Sequence, residues 1–194
     1  ASGDVGYGVV AAALEANWQV AAAGRSLEKL NKLKQSLPDA KLVVGDIGSE
    51  QGAEQLWSDA SSQLGAIDAV VVSVNAPITE QRLFDRSVES VREFLNTDVV
   101  SHFIAAKTFF PKLNRDGIYI GIGGGMADFL VPNCGHMSMS QAALRMMYRA
   151  IEKEVKGDGA KFKELMILSM VNGNSRRDIA CLLYTSDAAD DQAC

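Results

Sequence analysis

The chain alternates between two hydrophobic rhythms. Short apolar stretches bounded by turn residues read as buried strands: WQVAAAG (Trp18–Gly24), KLVVGD (Lys41–Asp46), IDAVVVSVNAP (Ile67–Pro77), GIYIGIGGG (Gly117–Gly125) and ELMILSM (Glu164–Met170). Segments of helical spacing separate them. Gly6 to Asn17 carries small residues on one face. In SLEKLNKLKQSL (Ser26–Leu37), Leu27, Leu30 and Leu33 share a face, Ser26 is a plausible N-cap, and Pro38 stops the helix. SEQGAEQLWSDASSQLG (Ser49–Gly65) opens with an acidic residue suited to the helix dipole. A long helix is expected from Ser87 or Ser90 to about Leu113, and another from about Met137 to Val155. This alternation predicts an α/β fold with right-handed β-α-β units and a parallel sheet covered on both faces. Ligands of such sheets bind at the carboxyl ends of the strands, so the residues just after each strand carry the functional information.

At 194 residues the chain is about one domain long. No apolar run is long enough to cross a bilayer, and the opening residues form a glycine-rich turn rather than a signal peptide. The net charge of −5, without a basic run, argues against nucleic-acid binding. Cys134, Cys181 and Cys194 have no metal-ligand spacing, so no metal site and a reducing, cytoplasmic setting are expected.

Both ends read as cut. A glycine-rich turn leading into a helix normally follows a buried strand, and none precedes Ala1, so the first strand is expected to be missing. At the other end, CLLYTSDAAD (Cys181–Asp190) resembles one reading frame of the constant adapter in transposase-made sequencing libraries. Residues 181–194 are therefore read as an artefact tail, residues 1–180 as one incomplete domain, and the last strand as missing. The tail holds Asp187, Asp190 and Asp191 with no Lys or Arg, so it supplies three of the five net negative charges. It also holds two of the three cysteines, which leaves Cys134 as a lone buried or half-buried thiol.

Ala1 to Gly8 reads as a phosphate loop. Ser2, Gly3, Asp4, Val5 and Gly6 form the turn, where glycine lets backbone approach a pyrophosphate and the following helix offers free N–H groups. Arg25 and Ser26 follow the Trp18–Gly24 strand, where a dinucleotide site holds the adenosine ribose. Arginine suits the 2′-phosphate of NADP better than the 2′-hydroxyl of NAD, because its planar fork matches phosphate oxygens. Asp46, with Ile47, is placed at the adenine edge, and Asn75-Ala76 below the adenosine.

With these pieces in order, the chain resembles the short-chain dehydrogenase/reductase family over nearly all of residues 1–180. The matching segments are ASGDVG, GRS, GDI, NAP and SMSQAALR. Pro77 stands where the family has a glycine. The resemblance implies a three-layer α/β/α Rossmann fold, NAD(P) as cofactor with NADP preferred, and a homodimer built through the two long helices. It also implies a catalytic tetrad in which a Lys lowers the pKa of a Tyr that acts as general acid or base. Aligning MSMSQAAL on the family's YSASKAAL puts Met137 at the Tyr position and Gln141 at the Lys position. Gly124 then falls at the Ser position, and NTDVVSHF puts Asp98 at the Asn position. No Tyr lies between Ile120 and Met147, and the first Lys after that helix begins is Lys153.

Three readings follow. In the first, the chain is an NADP-binding family member without the standard tetrad: a pseudoenzyme, a cofactor-dependent sensor or a partner subunit. In the second, it is an oxidoreductase using other residues, with His136, beside the Tyr position, and Asp98 as the candidates. In the third, it is an interaction module whose nucleotide site is vestigial. The substrate has no signature in the sequence.

Overall fold

In this computed structural model, residues 1–168 are described. The elements run α1 (Asp4–Glu15), β1 (Ala21–Gly24), α2 (Leu27–Ser36), β2 (Lys41–Val44), α3 (Glu50–Leu64), β3 (Ala69–Val72) and α4 (Val88–Leu95). After a π turn (Asn96–Val100) come α5 (Ser101–Phe109), β4 (Ile118–Gly124), α6 (Gly135–Glu154) and β5 (Lys161–Ile167). Met170 and the adapter-like tail from Cys181 lie outside the described residues. Serine hydroxyls fix three of the helix starts: Ser26, Ser49 and Ser87 accept from the N–H of Lys29 (3.3 Å), Gly52 (3.1 Å) and Ser90 (3.1 Å). No helix among the described residues is long and apolar enough to cross a membrane.

Among the described residues every strand pairing is parallel, as the alternation predicts, and the pairings fall into two ladders. One joins β1 to β2; the other runs β3-β4-β5. No ladder joins β1 to β3 among the described residues. Beside β1, the N-terminal ammonium donates to the Ala23 carbonyl at 2.5 Å.

Helices cover both sides. On one side α3, α5 and α6 share a core with the strands: Ala53, Leu56, Ala105, Phe109, Leu144 and Tyr148 pack against Val43, Val72, Tyr119 and Phe162. Tyr119 and Phe162 stack with centroids 4.7 Å apart. Each such fully buried aromatic contributes roughly 1.5–3 kcal/mol of transfer free energy. On the other side Val10 of α1 and Leu33 of α2 enclose Ala22 and Ala40. Gly121 has to be glycine, because a Cβ there would overlap the Tyr148 ring.

Several boundaries differ from the sequence expectation, each for a local reason. Asn17 adopts a left-handed φ of 63° that ends α1, so Trp18 stays outside β1 and is 52% exposed. β3 stops at Val72 because the following peptide groups bond to helix side chains instead of to a strand. The Val74 carbonyl accepts from His102, and the Ala76 N–H donates to Asp98. The expected single helix from Ser87 to Leu113 is broken into α4 and α5 by the π turn, in which the Ser101 N–H reaches the Asn96 carbonyl. The last strand begins at Lys161, in register with Ile118, rather than at Glu164.

Candidate functional site

The cofactor-side residues all follow carboxyl ends of strands or open α1. Gly3 is the N-cap of α1 and offers no side-chain cap, so the first-turn N–H groups of that helix have no side-chain partner. Space over Gly3 is open: a Cβ there would meet nothing within 4 Å. Gly6 is the opposite case, since its Cβ would lie 2.8 Å from the Ala1 backbone. The loop is folded tightly on itself at Gly6 and open at Gly3, a shape that lets an anion reach uncapped backbone donors. Ser2, Asp4 and Arg25 are exposed, and Val5 is half-buried. Ser26 uses its hydroxyl to cap α2.

Gly24 pairs with Val44, which brings Arg25 and Asp46 to the same edge of the β1-β2 ladder. The Asp46 carboxylate accepts the Gly48 N–H at 3.1 Å, forming a tight turn, while Ile47 is buried beneath it. Asn75 stands exposed beyond β3, and Ala76 is buried.

The second half of the site is a set of polar ties between the ends of β3 and β4 and the helices above them. Asp98 is 1% exposed. One of its oxygens accepts the Ala76 N–H at 2.5 Å and the other accepts the Ser140 hydroxyl at 2.6 Å. Gln141 bridges the two strands. Its amide oxygen accepts the Gly124 N–H at 2.7 Å, and its amide nitrogen donates to Asn75 Oδ1 at 3.0 Å. A Cβ at Gly124 would come within 3.2 Å of that amide oxygen, so the glycine and the bridge fit each other. Met137 is half-buried in the first turn of α6.

His102 sits one turn beyond Asp98 and is fully buried. Its Nε2 donates to the Val74 carbonyl at 2.7 Å, which leaves Nδ1 to accept from the Tyr148 hydroxyl. Burial lowers the His102 pKa, and the Val74 carbonyl and Asp98 only partly oppose this. Tyr148 and Tyr119 are pushed the other way, above the usual phenol range, again chiefly by burial. His136 is also fully buried, edge-on to Phe94 at 4.2 Å, and neither ring nitrogen has a hydrogen-bond partner among the described residues. Its pKa is lowered by burial and by the Arg86 charge, against an opposing pull from Asp98.

The structure thus brings Asp98, Gly124 and Gln141 into one connected set with Asn75 and Ala76. It sets His136 apart, against Phe94. Asp128, in the loop after β4, pairs with Arg145. Cys134 is a buried free thiol. An open groove of about 390 Å³ runs between Arg82-Leu83 and Leu130–Asn133, whose loops are joined by the Gln81 N–H to Asn133 carbonyl bond at 2.9 Å.

Sequence reasoning missed Ser140, the His102–Tyr148 pair and Glu164. The i, i+4 spacing of Asp98 and His102 was the available signal for the second of these. Glu164 gave none, because a carboxylate in an apolar strand run shows its environment only once the strand is paired.

A family profile described as enoyl-(acyl carrier protein) reductase matches residues 1–163. Among curated proteins the chain is similar to L-fucose dehydrogenase of Oryctolagus cuniculus, 25% identical over 111 residues. That match covers 57% of this chain and 39% of that protein, so the similarity spans well under half of the relative's length. Among solved structures the chain resembles a short chain dehydrogenase from Mycobacterium smegmatis (TM-score 0.79, 15% identity, 92% of this chain and 78% of that one). It also resembles a short-chain dehydrogenase/reductase, glucose/ribitol dehydrogenase, from Brucella melitensis (TM-score 0.78, 18% identity, 86% and 72%). An NAD+-bound xylitol dehydrogenase gives a TM-score of 0.80 at 15% identity, over 86% and 66% of the two chains. At these identities the structural likeness establishes the fold.

Proposed function

The chain belongs to the short-chain dehydrogenase/reductase family, and from that premise we propose that it binds a nicotinamide dinucleotide, NADP in preference to NAD, without the family's Tyr/Lys acid–base chemistry. It would serve as a pseudoenzyme: a cofactor-dependent sensor or a partner subunit in a reducing, cytoplasmic setting. Ser2 to Gly6 would receive the pyrophosphate, Arg25 the 2′-phosphate, and Asp46, Ile47, Asn75 and Ala76 the adenosine. The bound nicotinamide supplies hydride chemistry. The residues around it decide whether a proton can accompany the hydride.

The observation that carries this reading is the bridge made by Gln141. At the position where the family resemblance expects an ammonium stands a neutral amide with both ends engaged by Gly124 and Asn75. Asp98 likewise has both oxygens engaged, and Met137 has no proton to give. A missing general acid costs roughly 10² to 10⁴ in rate. Exposed Val100 and Phe103, on the π turn and α5, support a homodimer through the two long helices.

The test is a fluorescence titration with NADPH and NADH, followed by a carbonyl panel. NADPH is expected to bind more tightly, with the preference lost in Arg25→Ala and no turnover on the panel. Binding of neither dinucleotide rejects the reading in favour of an interaction module. A second reading, an active reductase using His136 and Asp98, is favoured by the two unpartnered nitrogens of His136. Turnover that disappears in His136→Ala would establish it.

A further inference from the structure

We infer that Arg145 on α6 is shared between two carboxylates, Asp128 in the loop after β4 and Glu164 on β5, and that ionisation of Glu164 draws it off Asp128 and loosens that loop. The inference does not depend on the cofactor reading above. Arg145 is ion-paired with Asp128; its side chain is 20% exposed and that of Asp128 56%. The Arg145 Nε is nevertheless buried with no hydrogen-bond partner among the described residues, and Glu164 Oε1 is left in the same condition. That oxygen lies over Gly123, where a Cβ would stand 2.7 Å from it, just before the turn (Gly125–Ala127) that leads to Asp128. One leftover atom is an N–H donor and the other a carboxylate acceptor, so each suits the other.

Several charges face Glu164. From α6 come Arg145, Arg149 and Glu152, with the Tyr148 phenol, and from the loop comes Asp128. Glu152 is already paired with Lys163 at 2.7 Å, and Tyr119 of β4 lies next to Tyr148. Burial raises the Glu164 pKa to about 7, and among the charges Arg145 pulls hardest the other way. Below that pH Glu164 keeps its proton, and Arg145 stays with Asp128. Above it the Glu164 carboxylate competes for the guanidinium. Asp128 is the more exposed acceptor, so water screens its hold. At equal separation an attraction at an effective dielectric of about 20 is about four times that at about 80. Moving inward also pairs the two leftover atoms, which are costly to leave buried and unbonded. The loop has little else to hold it. Phe129 and Leu130 are exposed, and among the described residues its other side-chain tie to α6 is the Ser138 hydroxyl on the Phe129 carbonyl at 3.1 Å.

The test is amide hydrogen exchange of the full chain at pH 6 and pH 8, on either side of the Glu164 transition, with rates divided by the intrinsic rate at each pH. Peptides covering residues 125–133 report the loop, and peptides from α3 report an intact fold. The proteins are wild type, Glu164→Gln, Asp128→Asn and Arg149→Gln. Wild type is expected to lose protection in the loop roughly two- to fivefold from pH 6 to pH 8, the worth of one partly exposed ion pair. Glu164→Gln should keep the pH 6 protection at both values, and Asp128→Asn should lack it at both. Arg149→Gln should follow wild type. Loop protection in wild type that equals that of Glu164→Gln at pH 8 overturns the inference. So does Asp128→Asn with wild-type protection at pH 6, because the ion pair then does not hold the loop. A pH response abolished by Arg149→Gln also overturns it, by making Arg149 the residue that answers Glu164.

Discussion

Replacing Asp98 with alanine removes one carboxylate that accepts two hydrogen bonds in a place only 1% exposed. A hydrogen bond to a charged group contributes about 1.5–3 kcal/mol net, and a buried donor left unpaired costs about 1–3 kcal/mol. The Ser140 hydroxyl has a second acceptor, the Met137 carbonyl at 3.1 Å, so its loss belongs at the low end. The Ala76 N–H has no other acceptor among the described residues and belongs at the high end. Together these give about 3–5 kcal/mol for Asp98→Ala, a large part of the 5–15 kcal/mol typical of a domain. Asp98→Asn should be much milder, about 1 kcal/mol, because hydroxyls can reverse direction. The asparagine oxygen keeps the Ala76 bond, its amide donates to Ser140, and Ser140 turns its own proton to Met137. Urea unfolding, followed by tryptophan fluorescence and far-UV circular dichroism, measures both. Asp98→Ala within about 0.5 kcal/mol of wild type, or Asp98→Asn as costly as alanine, would refute the reasoning, since both values follow from the two-acceptor geometry.

Two further outcomes follow from the packing around α6. Gly121→Ala places a methyl inside the Tyr148 ring and should cost about 3 kcal/mol or more, as overpacked cores do; a melt within error of wild type contradicts it. Burial raises the Glu164 pKa from 4.5 to about 7, opposed by Arg145 and Arg149 and reinforced by Asp128 and Glu152. A folded-state value above the unfolded one gives stability that is complete below the unfolded pKa and is lost as pH rises through the folded one. The window is therefore pH 4.5 to about 7, with stability falling as pH rises across it. Glu164→Gln should be more stable than wild type at pH 8 by about 1 kcal/mol, allowing for solvent screening of a half-buried group, with no gain at pH 4. Equal stability of the two proteins at pH 8 counts against the buried, unpartnered oxygen as the cause.

What the sequence made legible is what short-range physics decides. The Ser26 cap is a local hydrogen bond, and α2 begins where that serine stands. Parallel strands were readable as apolar runs, although their ends were not. The end of β3 depends on Ala76 and Val74 finding Asp98 and His102 across the fold. The π turn is equally invisible in sequence, since Asn96–Val100 carries no helix breaker. Asp98 within it is tied to Ala76 and Ser140, which lie elsewhere in the chain. The candidate cofactor residues were located because they sit at strand ends, a positional rule. Gln141 was read as a lost lysine, and its bridging role appeared only once Asn75 and Gly124 stood on either side of it. Among the described residues no ladder joins β1 to β3, which accords with the expectation that a strand is missing beside Trp18–Gly24.

The π turn also sets what kinds of inherited change this segment can absorb. An α-helix turns about 100° per residue, and the wide turn lets one additional residue pass without advancing the face by that amount. Phe94, Asp98, His102, Ala105 and Phe109 are all buried along one continuous side because of it. Loss of a single codon from Asn96–Val100 would therefore leave an ordinary α-helix with His102 and Phe109 still facing the interior. The same loss from α5 itself would turn the residues beyond it by about 100° and carry Phe109 out of the interior. A one-residue deletion is thus absorbed in the wide turn and severe a few residues further on.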